Sequence, residues 1–157
     1  MPIFIFLHIL VMFTAVALAY GPAALRVVAS RRGDVRSLRA ISVTSDRLGP
    51  AVGVAFGLGI FLGFVAVFVH GFDPLQGWLV IAYVLVAASL VMTFAFTSPW
   101  LRKVQAAAEA SPDDSMSPEL RALVQSPRSQ ALLMVDALLI VALIADMVLK
   151  PLPTKLF

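Results

Sequence analysis

The chain has 157 residues, of which 61% are apolar and only 13% are charged, with a net charge of +3 and no cysteine. Soluble domains contain about 45–50% apolar and about 25% charged residues, so this composition excludes an ordinary soluble domain. The lack of cysteine excludes disulfides and thiolate metal sites.

The apolar residues form four blocks that are nearly free of charge, at residues 3–28, 48–71, 78–98 and 131–149. Each block has roughly the 20 residues that a helix needs to cross about 30 Å of hydrocarbon. Backbone groups in lipid must be hydrogen-bonded within the segment, which favours helices. The alternating ten-residue strands typical of a membrane barrel are absent from the sequence. The sequence therefore predicts one all-α domain over residues 1–157, a polytopic four-helix transmembrane bundle.

The basic residues predict how the helices are oriented. Two loops, at residues 29–47 and 99–130, carry with their flanks ten of the twelve Lys and Arg side chains, whereas the other side has only Lys150 and Lys155. The positive-inside rule places both loops in the cytoplasm of a bacterium and both termini outside its inner membrane. The same asymmetry explains the positive net charge. Because no aromatic residues are interleaved with the arginines, we do not expect nucleic-acid binding.

The three connections have different patterns. In the first loop, Val35, Leu38 and Ile41 have near-helical spacing, which predicts an amphipathic helix on the lipid surface. The stretch GFDPLQG at residues 71–77 indicates a short turn between the second and third helices. In the second loop, Ser117-Pro118-Glu119 predicts the start of a short helix, and the rest is expected to be irregular.

The second block contains glycines in two series spaced by four residues. On a helix they fall within about 160° of one face, which allows another backbone to approach closely. Ordinary helix packing is the favoured interpretation, and a groove for a flat ligand such as a porphyrin, a quinone or a pigment is the alternative. These residues are Gly49, Gly53, Gly57, Gly59 and Gly63.

Two carboxylates lie inside the fourth block, where a charge is costly. Asp136 is interpreted as a structural residue, protonated or hydrogen-bonded to Ser89 or Thr93, with a proton-carrying carboxyl as the alternative. Asp146 precedes Lys150 by four residues, the favourable order for an intrahelical ion pair.

Both histidines of the chain, His8 and His70, are expected in the outer half of the membrane, as is Asp146. Neutral imidazole is a good haem or metal ligand, and a carboxylate often holds its second nitrogen. A hydrogen-bonded histidine at the membrane interface is the simpler interpretation. Because no metal-ligand spacing such as HExxH occurs, we predict no metal site, and no catalytic or nucleotide motif is present.

Several short segments occur in an order that resembles known proteins. They are FLHIL around His8, the arginine-rich segment before RLGP, Gly77-Trp78, RAL at residues 121–123 and MVLKP at residues 147–151. This order resembles a family of small bacterial integral membrane proteins of unknown function and, more distantly, the haem-binding membrane protoporphyrinogen oxidase. The first resemblance implies a four-helix membrane bundle. The second implies that His8 is a haem ligand and that Lys150 lies near the site.

Three functional hypotheses follow. The favoured one is a non-catalytic accessory or scaffold subunit that contacts lipid and packs against membrane-protein partners or a second copy of itself. The second is a haem-binding redox protein with His8 as axial ligand, in which His70, Asp146 and Lys150 are further candidate cofactor-binding residues. The third is a proton-coupled carrier that uses Asp136.

Overall fold

The computed structural model describes residues 3–151, and these form helices joined by short connections, with no strand among them. The all-α prediction is therefore confirmed. A π-helical turn, Met92–Thr97, joins the third helix to the fourth. The helices are α1 (Ile3–Arg32), α2 (Val35–Val69), α3 (Gly77–Val91), α4 (Ser98–Ala110), α5 (Pro118–Gln125) and α6 (Pro127–Leu149).

Four helical segments are long and apolar enough to cross a membrane: Ile3–Arg32, Val35–Val69, Gly77–Ala110 and Pro118–Leu149. Large apolar side chains cover their surfaces; Phe13, Phe68, Phe94 and Val148, for example, are 65%, 70%, 71% and 74% exposed. Apolar surface on this scale is unfavourable in water and is accommodated by lipid. The chain is a multi-pass membrane protein. Lys155, one of the two basic residues predicted on the outer side, lies outside the described residues.

The connection between α1 and α2 is only two residues long, whereas a loop was expected at residues 29–47. Gly33 has a φ of +70°, and the N–H of Asp34 donates to the Ala29 carbonyl at 3.0 Å. This geometry ends a helix on a left-handed glycine. Asp34 then caps α2 by accepting the N–H of Ser37 at 3.0 Å. A left-handed residue followed at once by a capping residue lets one helix end and the next begin without an intervening loop.

The prediction of a separate surface helix at Val35, Leu38 and Ile41 is therefore wrong. These residues are helical, but they belong to the first turns of α2. Val35 and Leu38 are 1% and 0% exposed, so their apolar stripe faces protein and not lipid.

Three prolines lie within helices that continue past them: Pro22 in α1, Pro50 in α2 and Pro99 at the start of α4. Proline has no N–H and its ring clashes with the carbonyl four residues earlier. Before Pro99 the helix widens into the π-helical turn, in which the Ser98 N–H donates to the carbonyl of Thr93. The wider turn relieves the clash, and the helix runs on to Ala110.

Most of the second predicted loop, residues 99–130, is consequently helical. Only residues 111–117 and Ser126 lie outside the helices there. The predicted short helix at Pro118 is confirmed as α5. Ser126 then caps α6 by accepting the Ser129 N–H at 3.2 Å.

The chain divides into two compact units. The first contains α1, α2 and Ala108–Ser117, and in it α1 packs along α2. The second contains residues 73–107 and those from Pro118 onward, and in it α3 packs on α6. The indole N–H of Trp100 on α4 donates to the carbonyl of Leu123 on α5 at 3.0 Å, which joins these two helices of the second unit.

Candidate functional site

His8 lies on α1 and is half-buried against α2. Its Nδ1 is 2.7 Å from the carbonyl oxygen of Gly59. A carbonyl oxygen can only accept a hydrogen bond, so Nδ1 carries the proton and donates it. In the neutral imidazole Nε2 then keeps its lone pair. Nε2 has no recorded partner among residues 3–151, so this nitrogen is able to act as an acceptor or a ligand.

Two glycines of α2 make room for α1 at this level. A Cβ at Gly63 would lie 3.0 Å from His8 Cε1 and 3.1 Å from Nδ1, so the imidazole would have to shift by a few tenths of an ångström to admit a side chain there. A Cβ at Gly59 would lie 2.4 Å from the Sδ of Met12. Gly59 thus supplies both the acceptor for His8 and the space for Met12. Both glycines lie where side chains of α1 approach α2 closely.

Gly49, Gly53 and Gly57 lie on the other flank of the same glycine series. A Cβ at any of the three would have no neighbouring atom within 4 Å in the described part of the first unit. The two flanks differ because residues 49, 53 and 57 are rotated by about 40–160° from residues 59 and 63 around the helix axis. We call the surface formed by Gly49, Gly53 and Gly57 the open glycine face.

His70 ends α2 in the same first unit. Its Nδ1 is 2.9 Å from the carbonyl oxygen of Ala66, and its ring stacks on Phe72 with the ring centroids 6.1 Å apart. The carbonyls of Gly59 and Ala66 are seven residues apart, about 10 Å along the helix. The imidazoles of His8 and His70 are therefore held at different heights of α2, and the structure does not bring them to one shared ligand position.

Asp146 and Lys150 lie at the end of α6, in the second unit. Asp146 is 6% exposed, and neither carboxylate oxygen has a hydrogen-bond partner among residues 3–151. Lys150 instead places its Nζ 5.0 Å from the ring centroid of Trp78 on α3. The expected Asp146–Lys150 ion pair is thus not formed. Lys150 lies just past the end of α6 with a left-handed backbone (φ 46°, ψ 59°), so it does not continue the helical spacing that the ion-pair prediction assumed.

Asp136 lies half-buried on the same helix. Ser89, one of the two hydroxyls expected to bond to it, donates its own proton to the carbonyl of Leu85 on α3 at 2.9 Å. Thr93, the other, is exposed in the π-helical turn. The role of Asp136 as a proton-carrying residue stays a prediction.

An arginine cluster in the first unit was not anticipated from the sequence. The Arg39 guanidinium donates to the carbonyl of Ala108 at 2.7 Å, to the carbonyl of Ser111 and to the carboxylate of Asp113. The Nε of Arg36 lies 3.4 Å from the other oxygen of Asp113. Hydrogen bonding from Arg39 and its positive charge lower the pKa of Asp113 below the ordinary range of an aspartate. Pairing of a basic helix face with an acid 74 residues away leaves no local sequence signal.

A second arginine is buried. Arg26 on α1 is 6% exposed and donates from Nη2 to the hydroxyl of Ser45 on α2 at 3.1 Å, while its Nε has no partner among residues 3–151. Asp46 supplies the nearby negative charge. Arg26 was expected only to mark orientation, whereas its hydrogen bond to Ser45 places it between α1 and α2.

The described residues contain no group of three or more His, Asp or Glu side chains placed to hold a metal ion. Comparisons with protein family models, with curated proteins and with solved structures each found no match.

Proposed function

We propose that the protein is an accessory or scaffold subunit of a bacterial inner-membrane complex, and that it binds a transmembrane helix of its partner through the open glycine face. The observation that carries the proposal is that a Cβ at Gly49, Gly53 or Gly57 would have no atom of the described part of the first unit within 4 Å. Glycine in a helix interior costs about 0.5–1 kcal/mol relative to alanine. Three such residues weaken α2, and no packing against α1 offsets that cost.

A partner helix supplies the missing contact. Association in lipid lacks a hydrophobic driving force and depends on close packing at small residues, often spaced by four. The open glycine face has this spacing, and Phe64, which lies on the same face seven residues after Gly57, is 45% exposed. A helix seated on the glycines would pack its side chains against the ring of Phe64. The partner is a different membrane protein or a second copy of this chain.

Cysteine cross-linking tests the proposal, because the chain contains no cysteine of its own. Gly53→Cys in native membranes should cross-link to one discrete partner, whereas Val84→Cys, at an apolar position of α3 that is 62% exposed, should not. Gly53→Leu should abolish co-purification of that partner. Gly21→Leu is the matched control, since Gly21 is equally open but lies on α1, outside the series.

Two outcomes would contradict this function. The first is a Gly53→Leu protein that keeps its partner in full. The second is a Gly53→Cys protein that yields only intramolecular or random cross-links. A cross-link between two copies would identify the partner as the protein itself.

Orientation and compartment belong to the same proposal. The charge distribution supports a cytoplasmic position for the two connections Gly33–Asp34 and residues 111–117, because ten of the twelve basic side chains lie in the helical segments on either side of them. Both chain ends would then lie on the outer side of the inner membrane.

A haem-binding redox protein is the second candidate function, and one observation favours it. His8 donates from Nδ1 to a backbone carbonyl and leaves Nε2 with a lone pair, which is the arrangement that orients an imidazole to bind a metal. His70 has the same arrangement at Ala66 and provides the comparison. Asp146 and Lys150 lie in the second unit, and they enter this candidate function only through the resemblance.

Absorption spectroscopy distinguishes the two functions. The protein purified in mild detergent, with haem added, should develop a Soret band that is lost in His8→Ala and kept in His70→Ala if His8 is the axial ligand. A colourless wild-type protein, or a band that survives His8→Ala, would refute haem ligation by His8. Neither result depends on the open glycine face, so the two functions are tested separately.

A further inference from the structure

Asp146 is a buried carboxyl for which the described residues, 3–151, supply no neutralising group. The residue is 6% exposed, and both of its carboxylate oxygens are buried and lack a hydrogen-bond partner among residues 3–151. Such groups are rare in proteins, because the loss of hydration is normally compensated by a hydrogen bond or an ion pair.

The nearest basic side chain is engaged elsewhere. Lys150 follows Asp146 by one helical turn, but its ammonium group lies over the ring of Trp78. Trp78 is itself held by a hydrogen bond from its indole N–H to the side chain of Gln76 at 3.0 Å. The cation–π contact therefore rests on an oriented ring, and Lys150 does not donate to the Asp146 oxygens.

The other ionisable groups of the helices packed with α6 do not neutralise it either. On α6 itself, Asp136 is ten residues and about 15 Å away along the axis, and Arg128 is farther. Tyr83 is the titratable residue of α3, and the π-helical turn has none. Glu119 and Arg121 are on α5, which precedes the start of α6 and so is remote from the end where Asp146 lies.

The position of Asp146 in its helix adds a second disadvantage for a negative charge. The residue lies in the last turn of α6, three residues before its end at Leu149. The carbonyl groups at a helix C-terminus form the negative end of the helix dipole, which repels a carboxylate. Burial and the dipole therefore act in the same direction.

We propose that Asp146 is a proton-binding site, and that its carboxyl group holds one proton and is neutral at pH 7 in the membrane. The reaction is the addition of a proton to a carboxylate oxygen, with no redox step. Neutralisation is the usual response of an ionisable group that is buried without a partner. It is compatible with the position of the Lys150 ammonium group over the ring of Trp78.

Infrared spectroscopy with aspartate labelled by ¹³C in the side chain tests the proposal in lipid vesicles at pH 7. The chain has seven aspartates, of which Asp136 and Asp146 lie deep within apolar segments. Asp136→Glu removes the label at residue 136 while keeping a carboxyl group there. In that variant we expect a labelled C=O stretching band of a protonated carboxyl at pH 7. Further replacement, Asp146→Asn, should remove it.

The proposal would be overturned if labelled aspartate in the Asp136→Glu protein gave only the bands of ionised carboxylates and no protonated C=O band. Lys150→Met in the same background tests the ion-pair alternative. The protonated band should be unchanged, because Lys150 does not neutralise Asp146. A protonated band that appears only after Lys150→Met would show that Asp146 is ionised and paired with Lys150 in the native chain. The two decisive samples, Asp136→Glu alone and Asp136→Glu with Lys150→Met, both keep Asp146. The test therefore stays valid even when Asp146→Asn fails to fold.

Discussion

Replacing Gly59 by valine places a branched side chain where α1 packs on α2. A Cβ at this position would lie 2.4 Å from the Sδ of Met12 and 3.0 Å from its Cγ, well inside the 3.5–4.0 Å at which carbon atoms pack best. Overpacking of this kind costs about 1–3 kcal/mol. The higher helix propensity of valine relative to glycine stabilises α2 by only about 0.3–0.5 kcal/mol.

The flexible Met12 side chain can shift to relieve part of this contact. We therefore expect Gly59→Val to destabilise the packing of α1 on α2 by about 0.5–2.5 kcal/mol, which is about 2- to 70-fold in the equilibrium constant for opening. Gly57→Val is the matched control, since a Cβ there has no neighbour within 4 Å. It adds the same atoms to the same helix only two residues away. Its effect should stay within about 0.5 kcal/mol.

A buried thiol reports the opening. Ala15 on α1 has no exposed surface, and the chain is free of cysteine, so Ala15→Cys gives a single site that a thiol reagent reaches after α1 separates from α2. Labelling is followed across a titration with denaturing detergent in mixed micelles. The midpoint should fall clearly for Gly59→Val and stay in place for Gly57→Val. Equal midpoints for the two valine variants would refute the assignment of Gly59 to the α1–α2 contact.

Three further predictions concern the first unit. Gly33→Ala should weaken the α1–α2 hairpin by roughly 1–2 kcal/mol in the same thiol assay, because a φ of +70° is strained for alanine. Arg39→Lys should speed proteolysis within residues 108–117, because lysine cannot make the three-pronged contact, whereas the exposed Arg32→Lys should not. The pKa of Asp113 is held below its ordinary value of about 3.9, so its ion pairs with Arg36 and Arg39 stabilise this segment above about pH 4 and are lost as pH falls through the lowered pKa. Proteolysis within residues 108–117 should therefore be faster below about pH 4 than above it. The Asp113→Asn protein should be cleaved rapidly in both pH ranges.

Hydropathy alone was enough to predict the four spans, because exclusion of charge over about 20 residues is a physical requirement of the hydrocarbon. The helix ends were harder to predict. The pair Gly33-Asp34 contains a readable signal, a left-handed glycine followed by a capping aspartate. The arginines on both sides made the segment look like a polar loop, and the signal was missed.

Helix continuity across proline also escaped sequence analysis. Ser98-Pro99 normally indicates a helix end, since the residue before proline is biased away from helical geometry. The π-helical turn Met92–Thr97 removes that conflict. Whether a helix breaks or widens at a proline depends on the packing around it, and local sequence does not encode that packing.

The candidate site was predictable by residue type but not by contact. The glycine series identified a packing face, yet only the structure distinguishes Gly59 and Gly63, which meet α1, from the open members of the series. Spacing by four predicted an Asp146–Lys150 pair. The backbone of Lys150 is left-handed, and its ammonium lies over Trp78, a residue 72 positions earlier in the chain.

The central proposal is that four segments cross a membrane with the two connections that basic helix ends flank, Gly33–Asp34 and residues 111–117, on one side. Single cysteines at three exposed positions test it with a membrane-impermeant thiol reagent: Arg32→Cys beside the first connection, Ser115→Cys in the second, and Leu75→Cys in the turn between α2 and α3. In intact cells we expect labelling at position 75 alone, with positions 32 and 115 labelled only after the cells are broken. Labelling of positions 32 and 115 from opposite sides of the membrane would contradict the account.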